Sequence, residues 1–504
     1  MKILYLIILV FSGQFIFSQD GVIDLSFGDN GIIINSGAPS LEFAKAILVQ
    51  PDHKILIAGG SGETLLVIRY NENGTPDSTF NYDGFLYLDD FILTADYFYQ
   101  TMKLVLQDDG KIIISGFFKH PSGTGIKGGV RLFANGFVDG SFGIEGDPPD
   151  LDVGLTSGYQ GYPQSIGLQS DGKIIVATSI GETTADTSWV RMLIIRYNPD
   201  GTVDNSFNST GFILGDDPTT GSSVAVQDDD KILITGGEGT HLYRFNADGS
   251  PDLTFSDDGK VTVSAFGFQS HVILERYGFI LVRFNNGPVE YIYRYDQDGN
   301  KIEQINEALE TDFSCDPIAL APDGKFVIAG YQFPYEDAYP SVQRFYSDCE
   351  QDNSFGNESV VETHFDNDAY YSAVAVQEDG KIICAGRILA YHDGDFTYDM
   401  LIARYTGSVE TGIVNNQTEF IPGIFPNPAQ SNAILNYYLP ENESVSIHLF
   451  DITGNIVLRI INEEFQLAGK HQQQLELNQK LPAGIYMLYL KAGAFTEVIK
   501  LEKI

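Results

Sequence analysis

Three cysteines in 504 residues cannot staple a disulfide framework, so the fold has to be held by its own core. Basic residues are also scarce. Thirty Lys and Arg face 68 Asp and Glu, giving a formal net charge of −38. Phosphate contacts need clustered cations, so a nucleic-acid-binding role is excluded. The acid excess reads as a solvated surface of Asp-rich turns that keeps an exported chain soluble. Beyond the N-terminus no apolar run approaches the roughly 18 residues of a membrane span. The eight histidines are scattered without metal-ligand spacing. There is no His-Glu-x-x-His, no Gly-x-Ser-x-Gly and no phosphate loop, since Gly123 to Gly129 lacks the Gly-Lys-Ser/Thr ending. Two carboxylates brought together from distant segments could still form a glycosidase pair.

What is present is 43% hydrophobic residues, 12% aromatics and 52 glycines, the composition of a turn-dense β protein with a real core. Lys2, the apolar run Ile3 to Phe17 and the small Ser18 read as a secretory signal peptide over residues 1–18. One unit then recurs. Its first mark is Gln-x-x-x-Lys, at Gln50/Lys54, Gln107/Lys111, Gln169/Lys173, Gln227/Lys231 and Gln377/Lys381, with Ala321/Lys325 as a variant. A worn copy lies between Val272 and Leu281. Asp-Gly or its equivalent sits between the two apolar runs and supplies the positive φ of a tight hairpin. The second mark is an Arg closing a third run: Arg69, Arg131, Arg196, Arg244, Arg294, Arg344 and Arg404. Gly follows five residues later in the first five copies, with Cys349 in its place in the sixth. Asp then follows at eight residues and Phe at eleven, as in Arg244, Asp252 and Phe255.

Four short strands per unit of roughly 46 to 65 residues predict the blade of a β-propeller. The last copy stops at Arg404-Tyr405, and the parts it lacks (Asp24, Phe27 and the run Gly31 to Ile34) precede the first copy. The N-terminal strand is therefore expected to complete the last blade and close the ring, hiding sheet edges. The fold class expected is all-β: a seven-bladed β-propeller over residues 19–407, a linker at 408–420, and a small C-terminal β-sandwich at 421–504. The units resemble the delta-60 repeat of secreted bacterial proteins, on Gln-x-Asp-Gly-Lys-Ile, Arg-Tyr-x-x-x-Gly and Asp-x-Ser-Phe-Gly. The fifth copy departs from the pattern with Ile302 in place of Asp.

Each repeat Arg is expected to meet the Asp eight residues on: Arg69 with Asp77, Arg131 with Asp139, Arg196 with Asp204, Arg244 with Asp252 and Arg344 with Asp352. Ring closure pairs Arg404 with Asp24 from the other end of the chain. The Asn198, Asp200, Gly201, Asp204 spacing is like that of oxygen-rich calcium loops, but Arg196 stands where the leading carboxylate ligand would be. No cofactor is expected, with calcium the one candidate. Cys384 is expected to be a buried apolar side chain, and Cys315 and Cys349 could pair in an oxidising compartment.

The short turns fall on one face of such a ring and loops of variable length on the other. That second face offers Tyr97, Tyr99, Tyr159, Tyr162, Trp189, Tyr335, Tyr339 and Tyr391 as aromatic plates. Asp150, Asp152, Glu336, Asp393 and Asp395 offer acceptors, a mixture suited to a glycan or peptide. The expected function is binding or scaffolding by a monomer. The alternative is a carbohydrate-active enzyme, a glycoside hydrolase or lyase, on the same ring.

After a polar stretch come Phe425-Pro-Asn-Pro428, Asp451-Ile-Thr-Gly454 and Leu481-Pro-Ala-Gly-Ile-Tyr486. Alternation at Val445, Ile447 and Leu449 indicates half-buried strands. This module resembles the C-terminal sorting domain of the type IX secretion system of Bacteroidota. The resemblance implies a partner in that secretion machinery and a secreted or outer cell-surface location.

Overall fold

A computed structural model describes residues 20–36, 41–93, 102–119, 126–143, 162–183, 188–215, 221–236, 240–256, 258–264, 270–275, 278–286, 289–306, 318–332, 338–392, 394–408, 423–425, 429–439, 442–451, 456–467, 469–477, 481–492 and 495–503. The chain divides into two compact units at Val409/Glu410. Among the described residues no helix is long and apolar enough to cross a membrane.

The first unit is a β-propeller whose repeats each make one antiparallel meander. In the first repeat the strands Glu42–Val49, Ile55–Ser61, Thr64–Tyr70 and Phe85–Ile92 pair in chain order. The third to sixth repeats do the same, and three strands of the second are described, Met102–Leu106, Ile112–Lys119 and Ile126–Leu132. Ile55–Ser61 is buried along its whole length because neighbouring sheets cover both its faces. Continuous apolar runs, rather than alternation, are therefore the sequence mark of these second and third strands.

The final repeat carries the closure. Its strands Ala369–Val376, Ile382–His392 and Asp395–Tyr405 take Ile32–Asn35 as their outermost neighbour, with Ile32 opposite Ala403 and Ile34 opposite Leu401. The join falls inside a turn. Asp24 N–H donates to the Arg404 carbonyl at 2.8 Å, and Thr406 N–H donates to the Val22 carbonyl at 2.7 Å. In the first repeat the same pair of bonds runs from Asp77 to Arg69 and from Asn71 to Thr75. Packing closes the circle as well. Ala44, Ile55 and Ile57 of the first repeat share one core with Ile383, Ala385, Met400 and Ile402 of the last. A comparable apolar core lies between every other neighbouring pair of repeats. Burial at about 25 cal/mol per Å² acts at each of these interfaces, so no sheet is left to stand alone.

The second unit is a two-layer β-sandwich. Gly423–Phe425, Asn432–Leu439 and Gly469–Glu476 form one sheet. Ile456–Gln466, Glu443–Phe450, Gly484–Ala492 and Phe495–Lys503 form the other. Val445, Ile447 and Leu449 point inward with Leu435, Leu475, Leu488 and Leu490, which is the alternation expected of half-buried strands.

Candidate functional site

At the short-turn face each repeat Arg sits in a cage built by its own turn. Nε lies 2.7 Å from Asp77 at Arg69, 2.9 Å from Asp139 at Arg131, and 2.9 Å from Asp204 at Arg196. It lies 2.7 Å from Asp252 at Arg244, 2.8 Å from Asp352 at Arg344, and 2.9 Å from Asp24 at Arg404. The other carboxylate oxygen accepts the hydroxyl two residues on, from Thr79 at 2.7 Å, Ser141 at 2.6 Å and Ser26 at 2.6 Å. Burial alone would raise the Asp77, Asp252 and Asp352 carboxyls. The Thr79, Thr254 and Ser354 bonds, with the neighbouring cations, outweigh it and bring all three down to about 2. The guanidinium also lies over the Phe eleven residues on, 4.8 Å from the Phe80 ring and 4.4 Å from that of Phe255. It reaches the next repeat too. Arg69 donates to the Ala134 carbonyl, Arg196 to that of Ala247 and Arg404 to that of Glu72. One side chain thus satisfies its own turn and staples two blades.

The same ring explains the Gly five residues after Arg. A Cβ on Gly249 would stand 2.7 Å from the Phe207 ring of the preceding repeat, and its φ is +90°. The fifth repeat rearranges these parts. With Ile302 at the Asp position, Arg294 Nε pairs instead with Glu275 at 2.8 Å, and its guanidinium covers Phe279 at 4.1 Å. Glu275 and Phe279 hold the places of the Gln and Lys of the first turn, whose hydrogen bond from Glu275 N–H to the Phe279 carbonyl persists. Acid and ring have moved to the other turn. Eleven residues after Arg294 comes Ile305 rather than Phe, and the following repeat accommodates a side chain, Cys349 at φ +68°.

The long-loop face is best defined on the last repeat. Its second and third strands run on as a paired hairpin, from Ile388 opposite Asp399 to His392 opposite Asp395, with Gly394 turning at φ +100°. Tyr391 and Phe396 lie opposite each other near the tip, 63% and 77% exposed, with ring centroids 5.3 Å apart and edge-on. Lower down, Arg387 lies between the rings of Tyr370 and Tyr398, at 4.8 Å and 5.4 Å, and Tyr331 meets Tyr370 edge-on at 5.1 Å. Within the hairpin His392 Nε2 contacts Asp399 at 2.8 Å. Across the ring closure, Glu42 of the first repeat is wholly buried, with Ser61 Oγ 3.4 Å from Oε1. Its Oε2 has no hydrogen-bond partner among the described residues. Burial raises the Glu42 carboxyl to about 7; the Ser61 bond lowers it, the Asp399 charge adds to the rise, and His392 opposes it.

Of the residues singled out in the sequence, Tyr391 and Asp395 come together on this hairpin, both exposed. Tyr339 packs 4.4 Å from the His364 ring, half-buried. Tyr162 opens the inner strand of the third repeat, and Trp189 stands opposite Glu182 in its third strand. The side chains of those two, and all of Tyr97, Tyr99, Asp150, Asp152, Tyr159, Tyr335, Glu336 and Asp393, lie outside the described residues. Phe396, Arg387, Tyr370 and Tyr398 were missed. The available signal was length, since eleven-residue strands exceed what the repeat needs. Cys384 is buried, which raises its thiol well above the ordinary range. Cys315 lies outside the described residues, and Cys349 borders the core between the fifth and sixth repeats. In the Asn198–Asp204 turn the Asp200 carboxylate accepts the Thr202 hydroxyl at 2.7 Å and its N–H at 3.0 Å. Among the described residues no cluster of three His, Cys, Asp or Glu could hold a metal ion.

Residues 423–502 match the secretion system C-terminal sorting domain. Residues 50–80, 169–207 and 227–255 match a β-propeller domain of unknown function. No curated protein matches the chain. Among solved structures it is similar to polysaccharide lyase Uly1, at 12% identity and a TM-score of 0.42, over 77% of this chain and 96% of that one. It is also similar to a catalytically inactive virginiamycin B lyase from Staphylococcus aureus, at 13% and 0.39 over 74% and 98%. A third similar structure is PorZ, a surface component of the type IX secretion system of Porphyromonas gingivalis, at 9% and 0.27 over 92% and 81%. The sorting domain marks the chain for type IX export to the cell surface or the medium, through contact with that machinery.

Proposed function

We propose that the exported ring is a monomeric seven-bladed binding or scaffolding protein that meets a glycan or peptide on its long-loop face. The observation that carries this reading is the aromatic hairpin of the last repeat. Two large rings, Tyr391 and Phe396, stand in solvent beside the exposed Asp395, and their contact with each other leaves most of both rings uncovered. Flat apolar faces next to a carboxylate acceptor suit the alternating apolar and hydroxyl faces of a sugar, or a peptide side chain with its amide. The staples of the opposite face hold the scaffold rigid, so loops on this face can be shaped for recognition without costing the core. The enzyme alternative would need carboxylates open to substrate, whereas Glu42 and Asp399, whose charges interact, are both buried.

The test is a glycan and peptide array probed with the propeller freed of its tail, with Tyr391→Ala and Phe396→Ala variants in parallel. A hit lost in both variants, with unchanged melting, supports the reading. Hits unaffected by either substitution, or turnover of a bound glycan, would count against it.

A further inference from the structure

On the short-turn face, two adjoining turns expose rings that no other repeat shows there. Tyr82, Phe133 and Phe137 are 81%, 42% and 38% exposed. The turn after Phe80 docks on the turn that follows Arg131, with Asn81 N–H donating to the Asn135 carbonyl at 2.8 Å. Across this junction Tyr82 meets Phe137 edge-on, with ring centroids 5.3 Å apart. The other repeats show what the scaffold itself requires at these positions. Phe133 N–H donates to the Phe137 carbonyl at 2.8 Å, and the same backbone bond joins Asn71 to Thr75, Asn198 to Thr202 and Asn246 to Ser250. In those three repeats the side chains bond as well, at 3.1, 3.0 and 3.0 Å. The second repeat replaces that bond with two exposed rings, and no other repeat is apolar or aromatic at both positions. Tyr82 stands where the third, fourth and sixth repeats have Ser209, Asp257 and Asn357. Its φ is +74°, a conformation that bulky side chains adopt only at a cost. The surroundings are acidic. Turns 71–84, 107–111 and 133–139 hold six acids (Glu72, Asp77, Asp83, Asp108, Asp109 and Asp139) against one Lys, Lys111. The 107–111 turn belongs to this patch, since a Cβ on Gly110 would stand 3.6 Å from that of Ala134. Asp77 and Asp139 pair with Arg69 and Arg131, and Asp109 holds Lys111 at 2.8 Å. Asp83 and Asp108 are exposed.

We infer that Tyr82, Phe133 and Phe137 form a second recognition surface, opposite the long-loop face, and that its occupant is a basic polypeptide segment of a partner protein. Lys and Arg side chains of that segment lie against the rings, and Asp83 and Asp108 answer their charge. Aromatic faces attract cations through the ring quadrupole, and the aliphatic stems of Lys and Arg cover apolar surface while their heads stay in water. Exposed aromatic centres with a charged rim are the anatomy of a protein–protein contact. Charge decides between occupants. A second copy of the chain brings its own −38 and is repelled, whereas a basic segment is steered in. A neutral glycan would use the rings but gain nothing from that field.

The experiment probes the purified full chain with an array of synthetic peptides carrying Lys and Arg, the same peptides with Gln in their place, and neutral glycans. The third repeat supplies the variants. Tyr82→Ser copies Ser209, and Phe133→Asn with Phe137→Thr copies Asn198 and Thr202, so both should melt no lower than the native chain. Leu253→Asn, another exposed apolar residue of this face, is the control. We expect basic peptides to bind, their Gln counterparts not to, and affinity to weaken as salt is raised. Affinity should fall about tenfold or more in each ring variant and stay within about twofold in the control. Asp83→Asn keeps the rings, stands in for any ring variant that fails to fold, and should weaken binding about threefold. Retention of no basic peptide overturns the proposal, as does binding that the folded ring variants and Asp83→Asn leave intact, which would be attraction to an acidic surface at large. Glycan hits lost in the ring variants overturn the choice of occupant. So does a concentration-dependent dimer that those variants dissolve.

Discussion

Replacing Glu42 with glutamine should make the ring more stable at neutral and alkaline pH. Glu42 is wholly buried where the first repeat meets the last, and its carboxyl is raised from an ordinary 4.5 to about 7. Below pH 4.5 the carboxyl is protonated in both the folded and the unfolded chain, and its contribution to stability is fully present. As pH rises from 4.5 to 7 the unfolded chain releases the proton first, so stability falls, and the loss is complete once the folded group ionises. At about 1.4 kcal/mol per pH unit the full loss is about 3 kcal/mol. Glutamine keeps the Ser61 contact and carries no charge, so the variant should stay level across that window. Urea unfolding of the tail-free propeller, followed by circular dichroism at pH 4.5, 6 and 8, measures both curves. Their difference isolates Glu42, because everything else that titrates is common to both. Parallel curves would refute the reasoning, as would a variant less stable than the native chain at pH 8.

Arg404→Met leaves Asp24 charged and buried, and should cost about 3–5 kcal/mol in the same unfolding assay; adding Asp24→Asn should recover part of the loss. Deleting residues 20–35 bares the Asp395–Tyr405 edge, and should give a chain that aggregates or melts at lower temperature, read by light scattering and calorimetry. Gly249→Ala forces a Cβ against Phe207 at a positive φ, and should cost about 2 kcal/mol or more, whereas Cys349→Ala should cost under about 1 kcal/mol by thermal melting. Asp252 and Asp352 are depressed to about 2, so what each adds is fully present above pH 4 and lost as pH falls toward 2. Asp352→Asn should flatten that acid limb by about 2 kcal/mol in unfolding at pH 5 and pH 2.5.

The ring was legible because its sequence signal is repetition, and what repeats is what the scaffold needs in every blade. The closure could be read from the missing Asp, Phe and outer strand of the last copy, since Arg404 without Asp24 would leave a buried cation unanswered. The long-loop face was legible only in part. Tyr391 and Asp395 stood out by residue type, but pairing Tyr391 with Phe396 depends on the register of the hairpin, which no periodicity encodes. Glu42 gave no sign at all. Its neighbours Asp399 and His392 lie some 350 residues away in the chain and become neighbours only when the circle closes.

The fifth repeat shows why departures from a repeat need structure to interpret. Taken singly, Ile302 for Asp, Ile305 for Phe, Glu275 for Gln and Phe279 for Lys look like erosion. In the fold they are one exchange. The anion and the ring that serve Arg294 have both crossed from the 3–4 turn to the 1–2 turn, so its charge is still met and its plane still covered. The consequence reaches the next repeat, where the position held by Gly elsewhere carries Cys349. The physical unit of this propeller is therefore the Arg with its acid and aromatic partners, together with the small residue of the following blade. Glu275→Gln should accordingly destabilise the ring about as much as removing Asp from any other repeat, about 2 kcal/mol or more by urea unfolding. A neutral result would mean that Arg294 draws its compensation from somewhere other than Glu275.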